Sequence, residues 1–250
     1  MSMKRKFSGI KARAIIYIVT PVIVSFTVIC CILFIMLFNS QQNIVMNDFQ
    51  DIVNRHSRIF ENKINKALDY LSFTANVLEF QVINGNTDRE ALQKFLFAVF
   101  NDHPGIDGSS IYFESDMYDG KDAEYTDTEY GTASSGRICF YYYRENGLTA
   151  YIPEAIGNDL EFSQSHYLDT KTLNTPIYSN PAVYTIDGED VFLFVISYPI
   201  RGENNEFIGA ITADIHLKDI HSLLQSEEIY KSGFIIISND KGRLIYSPRF

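Results

Sequence analysis

Tryptophan is absent, and only three cysteines occur among 250 residues. Two of them, Cys30 and Cys31, fall inside a long apolar run, so Cys139 is the sole thiol of the remaining chain. This excludes an internal disulfide in the body and any cysteine-based metal motif. Set in Ile138-Cys139-Phe140, the residue reads as a small buried apolar side chain. The histidines, at 56, 103, 166, 216 and 221, have no His-x-x-x-His spacing, and no glycine-rich phosphate loop or nucleophile elbow is present. Asp116, Asp119, Asp122 and Glu124 lack the calcium-loop spacing of an EF-hand and read as an acidic solvated loop. No cofactor and no metal are expected from these patterns.

Charge of either sign is missing from residues 14–38 (AIIYIVTPVIVSFTVICCILFIMLF). As a helix this stretch is roughly 37 Å long, enough to cross about 30 Å of hydrocarbon. Pro21 removes one backbone donor, and Thr20 and Ser25 are near enough to take up freed groups. Lys4, Arg5, Lys6, Lys11 and Arg13 precede the stretch, and residues 39–47 carry no charge. The excess of basic residues on one side places residues 1–13 in the cytoplasm and the body outside it, as a single-pass membrane protein. The apolar core is too long for a cleaved signal peptide, and no Ala-x-Ala pattern follows.

Setting the five basic residues of the stub aside leaves 16 Lys and Arg against 31 Asp and Glu, a net charge near −15. That argues against nucleic acid or an anionic membrane surface as a partner. Residues 39–80 repeat apolar side chains (Val45, Phe49, Ile52, Ile59, Ile64, Leu68, Leu71, Ala75, Leu78) mostly three, four or seven apart, the period of a helix. The narrow stripe predicts packing on a partner helix, hence a homodimer, or on the protein's own domain. Thr87-Asp88-Arg89-Glu90 reads as a capping box, with Thr87 as N-cap and Glu90 reaching back, opening a helix over 88–100.

The pattern then changes to strand. Segments 109–114, 137–144, 191–200 and 207–216 are rich in β-branched and aromatic residues, with turn signals at Asp119-Gly120, Glu145-Asn146-Gly147, Asp187-Gly188 and 202–205. A helix over 217–225 and a hairpin of 234–238 with 243–246 close the chain. Helices followed by hairpins predict an α+β fold with an antiparallel sheet. In Tyr141-Tyr142-Tyr143, Tyr142 faces away from its neighbours.

In this order the residues resemble the double Cache ectodomains of bacterial chemoreceptors. Tyr112-Phe113-Glu114 with Tyr118 to Asp122 is similar to that family's first strand and loop, and Gly136-Arg137 through Arg144 to its second strand. His166-Tyr167 with Pro176-Ile177-Tyr178 resembles its pocket loop, and Tyr198-Pro199-Ile200 through Asp214-Ile215 its central hairpin. Gly233-Phe234 with Lys241-Gly242 resembles the entry to a second module. The resemblance implies a PAS-like sheet and an extracytoplasmic small-molecule sensor of a methyl-accepting chemotaxis protein, not an enzyme. The same module serves histidine kinases and diguanylate cyclases; an anchored extracellular enzyme or a structural surface protein are the readings of another class. It implies this division: stub 1–13, membrane helix 14–38, stalk helix 39–82, membrane-distal module 83–230, and the start of an incomplete membrane-proximal module at 231–250, as in a truncated chain or fragment.

Amino-acid-binding members of that family hold the ligand carboxylate with an Arg-x-Trp-Tyr stretch and its ammonium with a Tyr-x-Asp and a later Asp. Here those positions fall on Gln164, His166 and Tyr167, on Tyr178-Ser179-Asn180, and on Asp214. The guanidinium clamp for a carboxylate is missing. With Asp214 and aromatic walls kept, the implied ligand is an amine or a neutral polar molecule.

Overall fold

A computed structural model describes residues 9, 13, 15–145, 147–151, 162–186, 188–218, 234, 236–238, 242 and 244–247. The chain divides into two compact units, Met1–Arg58 and Ile59–Phe250. Helix α1, Thr20–Ile83, is continuous, and a π-helical turn over Ile15–Val19 precedes it. Pro21 therefore sits in the first α-helical turn, where a missing N–H is tolerated. Ser25 donates to the Pro21 carbonyl at 2.8 Å. It thus bonds the proline's own C=O, not a group that the proline frees.

In the second unit, α2 spans Arg89–Asn101. Its N-cap is Asp88, whose side chain accepts from the Ala91 N–H at 2.7 Å. This corrects the expected Thr87 cap. Glu90 pairs with Lys94 one turn on instead of reaching back. The strands are β1 (Gly108–Phe113), β2 (Cys139–Glu145), β3 (Leu148–Tyr151), β4 (Ile177–Tyr178), β5 (Ala182–Ile186), β6 (Glu189–Arg201) and β7 (Phe207–His216), with α3 (Ser165–Leu173) between β3 and β4. They form one antiparallel sheet in the order β3-β2-β1-β7-β6-β4, with β5 also on β6. Glu145 pairs with Leu148 and Ile186 with Glu189. These are two-residue hairpins, with Gly147 and Gly188 at φ 80° and 78° supplying the left-handed residue such turns need. A short hairpin, β8 (Ile237–Ser238) with β9 (Leu244–Tyr246), follows. The helix predicted over 217–225 is described only at Leu217 and Lys218; the rest lies outside the described residues.

The pleat sorts the sheet into two faces. Ile111, Phe140, Tyr142, Ile196, Ile211 and Ala213 share a buried cluster with Tyr70, Leu71, Ala75 and Leu78 of α1 and Leu92, Leu96 and Phe100 of α2. The opposite face carries Tyr112, Cys139 and Ala210, covered by Phe162 and Tyr167.

The acidic loop is solvated only in part: Asp116 and Glu124 are exposed, whereas Asp119 and Asp122 are drawn inward. Arg89 is 1% exposed and its guanidinium organises residues 116–136. It donates to both Asp119 oxygens at 2.7 and 2.8 Å, to Asp122 Oδ1 at 2.6 Å, and to the Tyr130 and Gly136 carbonyls. Tyr125 stacks on it at 4.1 Å. Burial pushes the Asp119 carboxyl up, but the Arg89 hydrogen bonds and charge outweigh this and hold it below the usual range. A solvated loop would need its acids in water; these are spent on a buried cation that would otherwise be prohibitively costly.

Candidate functional site

Antiparallel register gives the face opposite the helices its order. One rung runs Tyr143, Gly108, Asp214, Val195; the next Tyr141, Ser110, Thr212, Ser197; the next Cys139, Tyr112, Ala210, Pro199. The first two rungs carry most of the polar groups on this face.

Asp214 is 6% exposed, and its Oδ2 accepts from the Tyr141 hydroxyl at 2.9 Å. Gly108 makes the pair possible. A Cβ there would stand 2.6 Å from Asp214 Oδ2 and 2.6 Å from the Tyr141 oxygen. Tyr141 and Tyr143 stack in near-parallel planes, 6.0 Å between centroids, as two residues apart on one face must. Ser197 is fully buried, and its hydroxyl has no hydrogen-bond partner among the described residues. A buried hydroxyl without a partner is costly, and a polar guest, water or ligand, would relieve that cost.

Helix α3 covers this face. It ends at Asn174, which takes the left-handed conformation at φ 51°. Tyr167 is 1% exposed and packs against Tyr112, Phe162 and Phe207. Its hydroxyl donates to Glu114 Oε1, which also receives Lys171 at 2.8 Å. Burial pushes Glu114 up, but the Lys171 and Tyr167 hydrogen bonds and the Arg137 charge outweigh it and keep the carboxylate ionised. Tyr167 is thus an anchor of α3, its phenol committed to Glu114. His166 is 4% exposed, and neither ring nitrogen has a hydrogen-bond partner among the described residues. Burial pushes the ring down to about 4, and the nearby Asp169 charge offsets little of this. The imidazole is neutral at physiological pH. Gln164 is the half-buried N-cap residue of α3 and makes no side-chain capping bond.

Tyr178 of β4 and Asn180 just after it are placed differently. Tyr178 pairs with Ile196, so the pleat puts it on the face opposite Asp214, and it is 53% exposed. Asn180 is exposed as well. The edge here is fastened by Ser179, whose hydroxyl accepts from the Val195 N–H at 2.8 Å. The structure thus brings Gln164, His166 and Tyr167 over the face that carries Asp214, and turns Tyr178 away. Tyr141, Gly108 and Ser197 are the polar-face residues that sequence reasoning left out. The alternation of Tyr141 and Tyr143 about Tyr142 was the available signal.

A cavity of about 610 Å³ has Tyr143, His216, Val191, Glu189, Asp190 and Lys218 among its walls; Tyr143 shares the rung of Asp214, but Asp214, Gln164, His166 and Tyr167 are not among the described walls. Arg144 borders it but turns its guanidinium to the Phe100 and His103 carbonyls at the end of α2. Glu145 also lines it, so the described wall is richer in carboxylates than in available cations. Among the described residues no cluster of His, Cys, Asp and Glu could hold a metal ion.

The sequence profile of the methyl-accepting chemotaxis protein-like first PDC sensor domain matches residues 92–222. This is just over half of the chain, and the chain belongs to that family of sensor domains. Among solved structures, the fold is similar to the periplasmic sensory domain of the Campylobacter jejuni chemoreceptor Tlp1, with a TM-score of 0.65 at 14% identity, over 78% of this chain and 69% of that one. It is similar to the extracellular domain of mmHK1S-Z3, assigned as a histidine kinase, with a TM-score of 0.59 at 24% identity, over 72% of this chain and 62% of that one. The ligand-binding domain of the Pseudomonas aeruginosa PAO1 amino acid chemoreceptor PctC, in complex with GABA, matches with a TM-score of 0.51 at 18% identity, over 81% of this chain and 75% of that one. No curated protein matches the chain in sequence. One helix among the described residues is long and apolar enough to cross a membrane.

Proposed function

We propose that this sensor domain reports a small extracytoplasmic amine, or a neutral polar molecule, to a chemotaxis receptor's cytoplasmic output. Residues 14–38 anchor it with residues 1–13 in the cytoplasm, followed by a stalk over 39–82, the ligand module over 83–230 and the start of a second module at 231–250. Asp214 carries the reading. It is a nearly buried carboxylate held by Tyr141, on a rung whose Tyr143 lines a cavity of ligand size. A bound ammonium would offset the cost of burying that charge. Gln164 and neutral His166 offer no positive charge to a carboxylate. The ligand of the Pseudomonas domain, GABA, carries an ammonium group, which fits this preference, and a carboxylate, which does not. Signalling is a population shift, in which the ligand favours one arrangement of the pocket. Homodimerisation through the stripe of 39–80 belongs to the same proposal. The module is compatible with a histidine kinase or cyclase output, and family membership favours sensing over an anchored enzyme.

The test is a thermal-shift screen of the full chain in detergent, with putrescine and ethanolamine beside amino acids, organic acids and nucleobases. A ligand at about 100 times its Kd adds roughly 2.7 kcal/mol of stability. An amine hit lost in Asp214→Ala supports the reading; a hit on an organic acid that survives Asp214→Ala overturns it.

A further inference from the structure

The β1–β7 ladder pairs Gly108 with Asp214 and resumes at Ile111 with Ile211. Between these points side chains replace the backbone ladder. The Ser109 hydroxyl donates to the Thr212 carbonyl at 2.7 Å, and the Ser110 N–H donates to the Thr212 hydroxyl at 3.0 Å. Just before Gly108, Asp107 Oδ2 accepts from the His216 N–H at 2.8 Å. On its β1 side, the main chain of β7 is therefore held two residues before and two residues after Asp214 by the side chains of Ser109 and of Asp107, the residue before β1, and at Asp214 itself by the Asp107 N–H, which donates to the Asp214 carbonyl at 3.3 Å; on its other side the β6 ladder is unbroken from His216 to Gly209.

Each of those side chains has a second partner, on α1. Lys63 Nζ donates to Asp107 Oδ2 at 2.9 Å. The Tyr70 hydroxyl donates to Ser109 Oγ at 2.8 Å. Lys63 and Tyr70 are seven residues apart, which is two turns of one helix face. Tyr70 and Ser109 are 1% and 2% exposed, and the Lys63 and Asp107 side chains 19% and 13%, so water competes little for these bonds. Asp107 and Ser109 point to the helices, while Gly108 between them lies beneath the Asp214–Tyr141 pair on the other face.

We propose that Asp107 and Ser109 are positioning residues that bracket Asp214 and pass its state of charge and occupancy through the sheet to α1 at Lys63 and Tyr70. The proposal rests on Asp214 being the ligand carboxylate. When a cation neutralises Asp214, the local β7 main chain adjusts. Its Thr212 C=O and His216 N–H move, and the bonds that follow them end on the helix. The β1 edge of this segment, held partly by side chains, has more freedom to shift than a continuous ladder, while the unbroken β6 ladder keeps the sheet intact. Burial keeps Tyr70 protonated well above its ordinary range, so it stays a donor throughout.

The experiment is amide hydrogen exchange of the full chain in lipid nanodiscs, with Asp214→Asn standing for charge neutralisation so that no ligand is required. Exchange in the α1 stretch 59–74 is expected to change at least threefold on Asp214→Asn. This response is expected to fall by more than half when Asp214→Asn is placed in Asp107→Asn/Ser109→Ala. Lys63→Gln, which cuts only the helix end of one bond, is expected to reduce it as well and keeps the test open if the double variant does not fold. An unchanged α1 with a responding β7, or a full response in Lys63→Gln, overturns the proposal. A purely structural role would lower the melting temperature of these variants and leave the α1 response intact. The putrescine scan separates the two readings. A putrescine shift lost in Asp214→Asn with a silent α1 overturns the coupling alone. An intact α1 response with no amine hit supports the coupling and counts against the amine.

Discussion

The Tyr141 hydroxyl reaches diagonally from the neighbouring rung, over Gly108, to donate to Asp214 Oδ2 at 2.9 Å. The two side chains meet because the residue between their strands has none. Gly108→Ala would put a methyl group 2.6 Å from both oxygens. Both are ends of side chains and can give way, so the expected cost is about 1 kcal/mol, a fall of roughly 2–4 °C in Tm. Amine affinity should fall at least tenfold. Thermal melts with and without putrescine measure both; unchanged affinity would remove Asp214 from the site.

His166 makes stability depend on pH in a defined direction. Its folded value is about 4 against 6.5 for the free side chain. The unfolded chain thus takes up a proton that the folded ring refuses. Stability is full above about pH 6.5 and declines as pH falls towards 4, by about 3 kcal/mol in all. Denaturant titrations between pH 7 and 4 should show this slope, and His166→Leu should flatten it. Glu114 and Asp119, with lowered values, add their losses only at lower pH, as pH falls through the folded-state values.

Arg89→Met leaves Asp119 and Asp122 buried without their cation. A loss of about 3–5 kcal/mol is expected, and Arg89→Lys should recover little of it because an ammonium cannot serve both carboxylates and two carbonyls in this geometry. Urea unfolding at pH 7 reads the difference. Full recovery by lysine would mean that charge alone suffices.

Ser197→Ala removes a buried hydroxyl that has no partner among the described residues. Stability of the unliganded chain should stay the same or rise by up to about 1 kcal/mol, while binding of a polar ligand that uses this hydroxyl weakens. A destabilisation above that size would show that an ordered water satisfies the group.

Much of the fold was legible because strong local signals agree with it. The segment 207–216 combines β-branched and small residues between a four-residue turn and a change of pattern, and the strand has those bounds. Asn146-Gly147 and Asp187-Gly188 marked hairpins that the register contains. Other elements were hidden. α3, SHYLDTKTL, has no apolar stripe, because its buried residues His166, Tyr167 and Thr170 are polar or aromatic. β4 and β5 are edge strands with half of their side chains outside, so their pattern is weak. The Thr87 cap lost to Asp88 because both residues suit the role and only the chain's approach to α2 decides between them. The site was less legible than the fold. Asp214 stood out as a charge in an apolar strand, but the identity of its partner depends on register across three strands, which no local pattern contains. Tyr178 looked equivalent to its neighbours until the pairing with Ile196 fixed its face.

The Arg89 cluster has a consequence for the order in which the module folds. Arg89 is the first residue of α2, at the positive end of the helix dipole, where a cation is disfavoured. Its compensating partners lie between 30 and 47 residues further along the chain. During synthesis the helix is made first and its start is capped locally by Asp88, but the Arg89 guanidinium is without its buried partners until Asp119, Asp122 and the Gly136 carbonyl arrive. Burying Arg89 therefore waits on the closure of a distant loop. A chain interrupted between 119 and 136 would be left with that guanidinium short of its full set of partners.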